Sequence, residues 1–450
     1  MEILTQELCR KIISTGIAYA KRKGYQVEIS ICGSDDGSTR FARNRIIQNV
    51  SAEEMELSVR VLIDGKQARK TTDHNVSATG LKRLIDRAIE IAHYQQKDDY
   101  VIELPDPQAI PVVEHFDEAT AKMTAAERGK IVAEMVAVAR AGNMTAAGFY
   151  QTSRVVNAIG NSKGLFAFDQ ASEVECSITM LAADSSGWAK GDNVRARGID
   201  HLALARKAAQ IARDSANPVV VQPGKYTVIL EPSAVLDLVT FLWPNFTGTS
   251  FLDKDSCFLG KLGEQVLGSN ITISDDVYHP LQWGCPYDGE GMPKTRVNLV
   301  ENGVLKNLVY GRRSARILGV NPTGHAAAQP SEIDEDPENF VMEGGNTSVE
   351  EMIASTEHGL YIPRVWYVRD VDEAVTKLLT GMTRDGLFLI EGGKIVRGVQ
   401  NLRFNQSLIE MLKNVVDMSP AVLASGEEGA PQVVPAMKVV DFEFTAGTKF

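Results

Sequence analysis

Apolar positions along the chain fall into two regimes, which meet near residue 215. Before it, helical and strand-like spacings take turns; after it, strands and Gly-rich turns dominate. Residues 4–23 carry apolar side chains at helical spacing and stop at Gly24, and strand-like stretches follow at "YQVEISICG" (25–33) and "STRFARNRIIQNV" (38–50). "MELSVRVLIDGKQARKTT" (55–72) reads as a hairpin about Asp64-Gly65. "LKRLIDRAIEIA" (81–92) then closes the run as a helix with Leu81, Leu84, Ile85, Ala88, Ile89 and Ala92 on one face. The order returns 120 positions later, where Asp64 falls on Asp184 and Ile91-Ala92 on Ile211-Ala212. Thr124 and Glu127 have capping-box spacing and open a helix at 125–141; strands at 147–159 and 173–184 and a helix at 201–214 follow. One element order at one offset predicts a duplicated helix–strands–helix unit; chance ordering in an α+β chain is the alternative.

Beyond "SANPVVVQPG" (215–224), hairpins are expected at 295–311, turning on Asn302-Gly303, and at 386–399, turning on Gly392-Gly393. A short helix is expected at 348–356 and a half-buried strand at 437–446, while 329–339 and 424–431 read as exposed loops. The expected fold class is α+β. An N-terminal α/β domain over 1–218 would hold repeat-like units at about 1–97 and 121–215; a mostly antiparallel β domain would fill 219–450. One stretch of that second domain, "YTVILEPSAVLDLVTFLWPNF" (226–246), predicts a strand running into a helix that Pro232 opens and Pro244 stops. Strand-to-helix corners are common mounts for catalytic groups, yet this helix carries no His, no Cys and one acid, Asp237.

Composition narrows the partners. A chain that is 44% hydrophobic and 23% charged is ordinary for a globular protein, and a net charge of −11 disfavours nucleic acid and anionic membrane. "KRK" (21–23) belongs to the last turn of a helix, where the dipole favours positive charge. Cys9, Cys32, Cys176, Cys257 and Cys285 form no C-x-x-C pair, so neither a disulfide framework nor a zinc ribbon is expected. The amphipathic start is not a signal peptide, and no window approaches about 18 uninterrupted apolar residues. A cytoplasmic protein is expected.

Candidate chemistry is sparse. His74, His93, His115, His201, His279, His325 and His358 include no pair at metal-ligand spacing, and no nucleophile elbow or P-loop occurs. His93 reads as a solvated helix edge, His115 as part of a solvated loop and His325 as structural. His279, Cys285, Asp288 and Glu290 lie close in sequence and could form a zinc site, though their spacing fits no known pattern. Asp35 and Asp36 in "GSDDGSTR" read as a polar turn, with a divalent-ion site as the sharper alternative; Asp275 and Asp276 on a strand would face opposite ways.

Four stretches carry a resemblance. "SCFLGKLGEQVLGSNITISDD" (256–276), "DGEGMPKTRVNLVENGVLKNLVYGRRSARILGVNPTGHA" (288–326), "EEMIASTEHGLYI" (350–362) and "LIEGGKI" (389–395) resemble, in order, the TldD/PmbA family of TldD–TldE metalloproteases, once called modulators of DNA gyrase. The resemblance implies a division of labour. TldD-type subunits carry an H-E-x-x-x-H helix and a C-terminal Cys, which leave Zn²⁺ an open position for a water of pKa near ~7; TldE/PmbA-type subunits lack that set and pair with a TldD-type partner. The motif would fall here near Thr240, Phe241 and Asn245, which are neither zinc ligands nor a base, and no cysteine follows Cys285. "VTKLLTGMTRDGLFLI" (375–390) and the tail 433–446 also depart from the TldD type. The resemblance therefore implies a TldE/PmbA-like subunit with no cofactor of its own, working on peptides as a homo- or heterodimer. A self-sufficient hydrolase using His279, Cys285, Asp288 or Glu290, and a gyrase-type protein-binding regulator, are the alternatives.

Overall fold

A computed structural model describes residues 4–73, 77–372 and 376–448; His74 lies outside them. The first half runs through one order of helix, three strands and helix twice. Helix α1 (Gln6–Arg22) leads into β1 (Gln26–Ala42), β2 (Arg45–Ile63), β3 (Lys66–Thr72) and α2 (Ala78–Tyr94). After the short α3 (Glu118–Ala121) come α4 (Ala125–Ala141), β4 (Thr145–Asn161), β5 (Phe166–Leu181), β6 (Ser186–Asn193) and α5 (His201–Asp214). α1 starts at 6 and α4 at 125, β2 ends at 63 and β5 at 181, α2 starts at 78 and α5 at 201, so paired boundaries lie 118 to 123 residues apart, around the 120 read from the sequence. Thr124 and Glu127 make the reciprocal capping box that their spacing predicts. The two runs join into one antiparallel sheet, β3-β2-β1-β4-β5-β6, in which β1 pairs with β4.

One expectation fails here. Residues 33–38 are not a turn between strands: β1 runs unbroken, and the chain reverses at Arg43-Asn44, both at positive φ. Asp35 pairs with Glu53 and Arg154, and Asp36 with Ala52 and Ser153. Pairing on both sides overrides the weak strand preference of Gly, Ser and Asp. Asp35 and Asp36 therefore point to opposite faces and cannot share a divalent ion.

Alternation along the strands gives the sheet an apolar and a polar face. Ile29 and Val59 pack with Ile13, Leu81 and Ile85 beneath α1 and α2. Val174, Cys176 and Ile178 pack with Val132, Met135 and Ala208 beneath α4 and α5. The intervening residues, among them Glu28, Asp36, Glu173, Glu175, Lys190 and Asp192, face the second half of the chain.

That second half is mostly β. In order it comprises β7 (Gly224–Leu230), α6 (Pro232–Val239), α7 (Gly248–Leu252), β8 (Ile273–Asp275), β9 (Val297–Glu301), β10 (Val304–Leu305) and α8 (Arg312–Leu318). Then come β11 (Phe340–Met342), α9 (Val349–Ala354), β12 (His358–Ile362), β13 (Val365–Asp372), β14 (Leu378–Thr383), β15 (Phe388–Glu391) and β16 (Lys394–Gly398). β17 (Leu402–Ser407), α10 (Leu408–Lys413), β18 (Val415–Met418), β19 (Val422–Ala424), β20 (Gln432–Val434) and β21 (Met437–Gly447) complete it. The larger sheet runs β13-β14-β17-β21-β7-β12-β15-β16 with β18 on β21; the smaller runs β10-β9-β8-β11-β20-β19. α6 lies inside one core cluster fed by both sheets. Both predicted hairpins form, at β9–β10 and β15–β16. The 329–339 stretch is not an exposed loop throughout, because Asp334 and Glu335 are buried. Glu335 accepts the N–H groups of Thr249 (2.6 Å) and Gly311 (2.9 Å) and the hydroxyl of Ser314 (2.5 Å). An acid can be buried where it satisfies backbone donors at two helix starts. Among the described residues no helix is long and apolar enough to cross a membrane.

Candidate functional site

The strand-to-helix corner forms as the sequence predicts, then departs from it. Pro232 takes the first helical position and Ala234 to Val239 are buried. At Thr240 the α-helix gives way to a 3₁₀ segment, Thr240–Phe246, which absorbs Pro244 inside it. The tighter turn suits a Pro that has no N–H to donate. Thr240, Phe241 and Asn245 thus meet three different surroundings. Asn245 is buried, accepts the N–H of Cys257 through Oδ1 (2.9 Å), and through its carbonyl accepts the Ser256 hydroxyl (2.9 Å). Phe241 packs against the core. Thr240 lies under Gly429, where an added Cβ would come 3.0 Å from Oγ1. Zinc needs three or four N, S or O donors at about 2.0–2.3 Å. These residues supply no such set, and among the described residues no three His, Cys, Asp or Glu side chains could hold a metal ion.

What occupies this address is the 425–431 loop. Asp237, the one acid of α6, is wholly buried and accepts the N–H groups of Glu427 and Glu428, both at 2.8 Å. Burial pushes its carboxyl up to about 6, against the pull of those N–H groups and of Arg364. On the other side, Lys190 of β6 donates to the Gly426 carbonyl (2.8 Å) and pairs with Glu175 (2.7 Å). Arg364 completes the join: it pairs with Asp385 (2.5 Å) and Glu427 (3.5 Å) and stacks 4.3 Å from the Trp188 ring centroid. The loop is thereby tied to α6 beneath it and to the polar face of the N-terminal sheet. Beside it opens a cavity of about 700 Å³, lined by Phe149, Trp188, Trp366, Arg364, Arg384 and Glu427 among others.

The sequence-adjacent quartet His279, Cys285, Asp288 and Glu290 does not converge as a zinc site. His279 sits in a turn and its Nδ1 accepts the Leu281 N–H (3.2 Å). Cys285 lines a cavity of about 420 Å³, but burial pushes its thiol up to about 12, far from a reactive thiolate. Asp288 accepts three backbone N–H groups, from Glu290, Met292 and Ala326. Burial, then the Glu290 charge, pushes its carboxyl up to about 7. Glu290 pairs with Arg60 of β2 (2.9 Å), beside the Arg69–Glu28 pair (2.7 Å). Glu290 therefore serves the junction between the two halves, while Asp288 ties the 288–292 turn to Ala326 within the second half.

Two histidines behave differently from each other. His325 is buried, with Nε2 2.9 Å from Asp275 Oδ1 and Nδ1 2.9 Å from Thr323 Oγ1, which fits the structural role its turn suggests. Burial opposes the Asp275 charge, but His325 and the Asn339 N–H outweigh it and hold the carboxyl below its usual range. His115 is not solvated as expected: it is buried with Nε2 2.8 Å from Asp169 Oδ1, because the segment before α3 lies against the sheet. No local pattern in "VEHFDEA" signals that distant partner.

Comparison with known proteins places these observations. Residues 27–92, 103–216 and 223–445 match, in order, domain 1, the central domain and the C-terminal domain of PmbA/TldA metallopeptidases. A metalloprotease PmbA homologue of Haemophilus influenzae is 24% identical over 431 residues, covering 91% of each chain. A TldD homologue from the same organism is 28% identical, but over 199 residues, 41% of each chain. The crystal structure of TldE from Thermococcus kodakarensis superposes with a TM-score of 0.85 at 19% identity, covering 97% of this chain and 99% of that one.

Proposed function

The chain belongs to the PmbA/TldD metallopeptidase family, and from that premise we propose that it is the TldE/PmbA-type subunit of a cytoplasmic peptidase complex whose zinc sits on a TldD-like partner. The observation that carries this reading is the state of the α6 address. Asn245 is committed to the 256–257 backbone, Phe241 to the core, and Thr240 is roofed by Gly429. The end-to-end match to a PmbA homologue, against a partial match to a TldD homologue, supports the same side of the family. The partner would cut, while this chain helps enclose the peptide and holds it extended; strand addition suits such a role because main-chain pairing is tolerant of sequence.

The test compares the chain alone with the chain co-expressed beside a TldD-like protein. Alone it should carry no zinc by elemental analysis and leave an unfolded peptide intact. Together the two should co-purify and cleave in a chelator-sensitive way. Stoichiometric zinc and chelator-sensitive cleavage by the chain alone would overturn the reading.

A further inference from the structure

The polar face of the N-terminal sheet holds more negative charge than its neighbours balance. Asp36, Ser153 and Glu173 are directly opposed across β1, β4 and β5, and Glu175 opposes Asp192 across β5 and β6. Asp36 is fixed by hydrogen bonds from the hydroxyls of Ser34 (2.7 Å) and Ser153. Lys190 is the cation set against the group, but it is engaged with Glu175 and with the Gly426 carbonyl. Glu427, on the loop packed above, adds negative charge rather than relieving it. Asp192 is 6% exposed; its carboxylate takes a hydrogen bond from the Ser425 side chain, on the loop packed above, but its Oδ2 has no hydrogen-bond partner. A buried carboxylate oxygen without a donor is costly, and a native fold rarely leaves one without a reason. Glu173 keeps some exposure, so the group can be reached from solvent.

We propose that this row of carboxylates is a binding site for an organic cation, an ammonium or guanidinium group. That a peptide presents it, as a Lys or Arg side chain or a free N-terminus, rests on the peptidase-subunit reading; the cation site itself does not. Spacing favours an organic cation over a metal ion. The acids stand on three strands of one sheet, Asp36 on β1, Glu173 on β5 and Asp192 on β6, a spread that suits an organic cation better than a metal ion whose ligands must all close to about 2.0–2.6 Å. No metal-holding trio exists among the described residues. A group with three to five N–H donors bridges such a spread through charge-assisted hydrogen bonds. The acids are also poised to respond. Burial, followed by the Asp192 and Glu175 charges, pushes Glu173 up to about 7, and burial pushes Asp192 up to about 6 despite Lys190. A bound cation would lower both, so binding near neutral pH releases protons.

Titration calorimetry on the purified full chain tests this with three probes. One is a Gly/Ser nonapeptide, acetylated and amidated, with a central Lys; the second is its norleucine twin, also made with a free N-terminus; the third is n-butylammonium. At pH 7 and low salt the Lys peptide should bind about tenfold tighter than the capped norleucine peptide, as expected for a charge-assisted hydrogen bond. Its heat should vary with buffer ionisation enthalpy in the sense of proton release. Preference and proton release should both vanish in Glu173→Gln and in Asp192→Asn, with thermal melting unchanged or raised. A preference restored by the free N-terminus alone would assign the cation to the peptide's start rather than to a side chain. Equal binding of the capped Lys and norleucine peptides, with no gain from the free N-terminus, overturns the cation site and leaves the peptide reading standing; so does a preference that survives both substitutions. Binding of n-butylammonium without any peptide supports the cation site and counts against the peptide reading. No binding of any probe overturns both.

Discussion

Asp237 accepts the backbone N–H of Glu427 across 190 residues of sequence, and Gly426 makes that contact possible. A Cβ at 426 would stand 2.2 Å from Asp237 Oδ1. The single acid of an otherwise apolar helix therefore fixes the loop that covers Thr240 at the end of α6, and the loop in turn reaches Lys190 on the N-terminal sheet.

Gly426→Ala should push the loop off α6. Overpacking a buried contact of this kind costs about 1–3 kcal/mol. Urea unfolding should show the loss, and amide exchange should speed up at Glu427 and Glu428 while the sheet amides stay protected.

Asp237 should also leave a signature in the pH dependence of stability. Its carboxyl binds a proton more tightly in the folded chain, at about 6, than in the unfolded chain, at about 3.8. The folded state therefore holds more protons between these values, and stability from this residue falls as pH rises through that window. Asp237→Asn keeps the Oδ1 acceptor and removes the titration. The variant should gain about 1–3 kcal/mol over wild type at pH 8 and lose that advantage near pH 4. Parallel stability curves for the two proteins would contradict the assignment.

Asn245→Ala should strand the buried Cys257 N–H. An unsatisfied buried donor costs about 1–3 kcal/mol, so denaturation should shift by that amount. The triple change Thr240→His, Phe241→Glu, Asn245→His, which writes an H-E-x-x-x-H sequence into the chain, should lower stability and bind no zinc. The side chains at 240 and 245 meet different neighbours. A stoichiometric zinc signal from the folded triple variant would show the address to be open.

Arg60→Met should loosen the junction between the halves. It takes from buried Glu290 its nearest partner, leaving Arg312 at 3.5 Å, and from buried Glu28 its second, leaving Arg69 at 2.7 Å. Breaking a buried pair from one side costs about 3–5 kcal/mol. Adding Glu290→Leu should recover part of that loss, a coupling that a double-mutant cycle in urea would measure.

Much of the architecture was legible because it is local. The capping box at Thr124 and Glu127, the Asn302-Gly303 turn and the 3.6-residue stripe on α2 depend on residues within a few positions of one another. The misreadings share the opposite property. "GSDDGS" has turn composition but gains two strand partners, and "SEIDED" has loop composition but caps two helix starts from inside. His115 reads as solvated from its own segment because its partner, Asp169, lies 54 residues away.

The same division holds for the candidate site. Sequence by itself determined that positions 240, 241 and 245 offer no His, Cys or acid, since Thr, Phe and Asn are what they are in any fold, and it determined the recurring order of helices and strands, because periodicity is written into consecutive residues. Only the tertiary structure decided what those residues do instead: that Asn245 holds the 256–257 backbone, that Asp237 fastens a distant loop, and that Asp36, Glu173 and Asp192 share one face. Side-chain chemistry is a property of the residue, whereas burial, pairing and the pKa values they produce belong to neighbours that strand register and packing bring in from far along the chain.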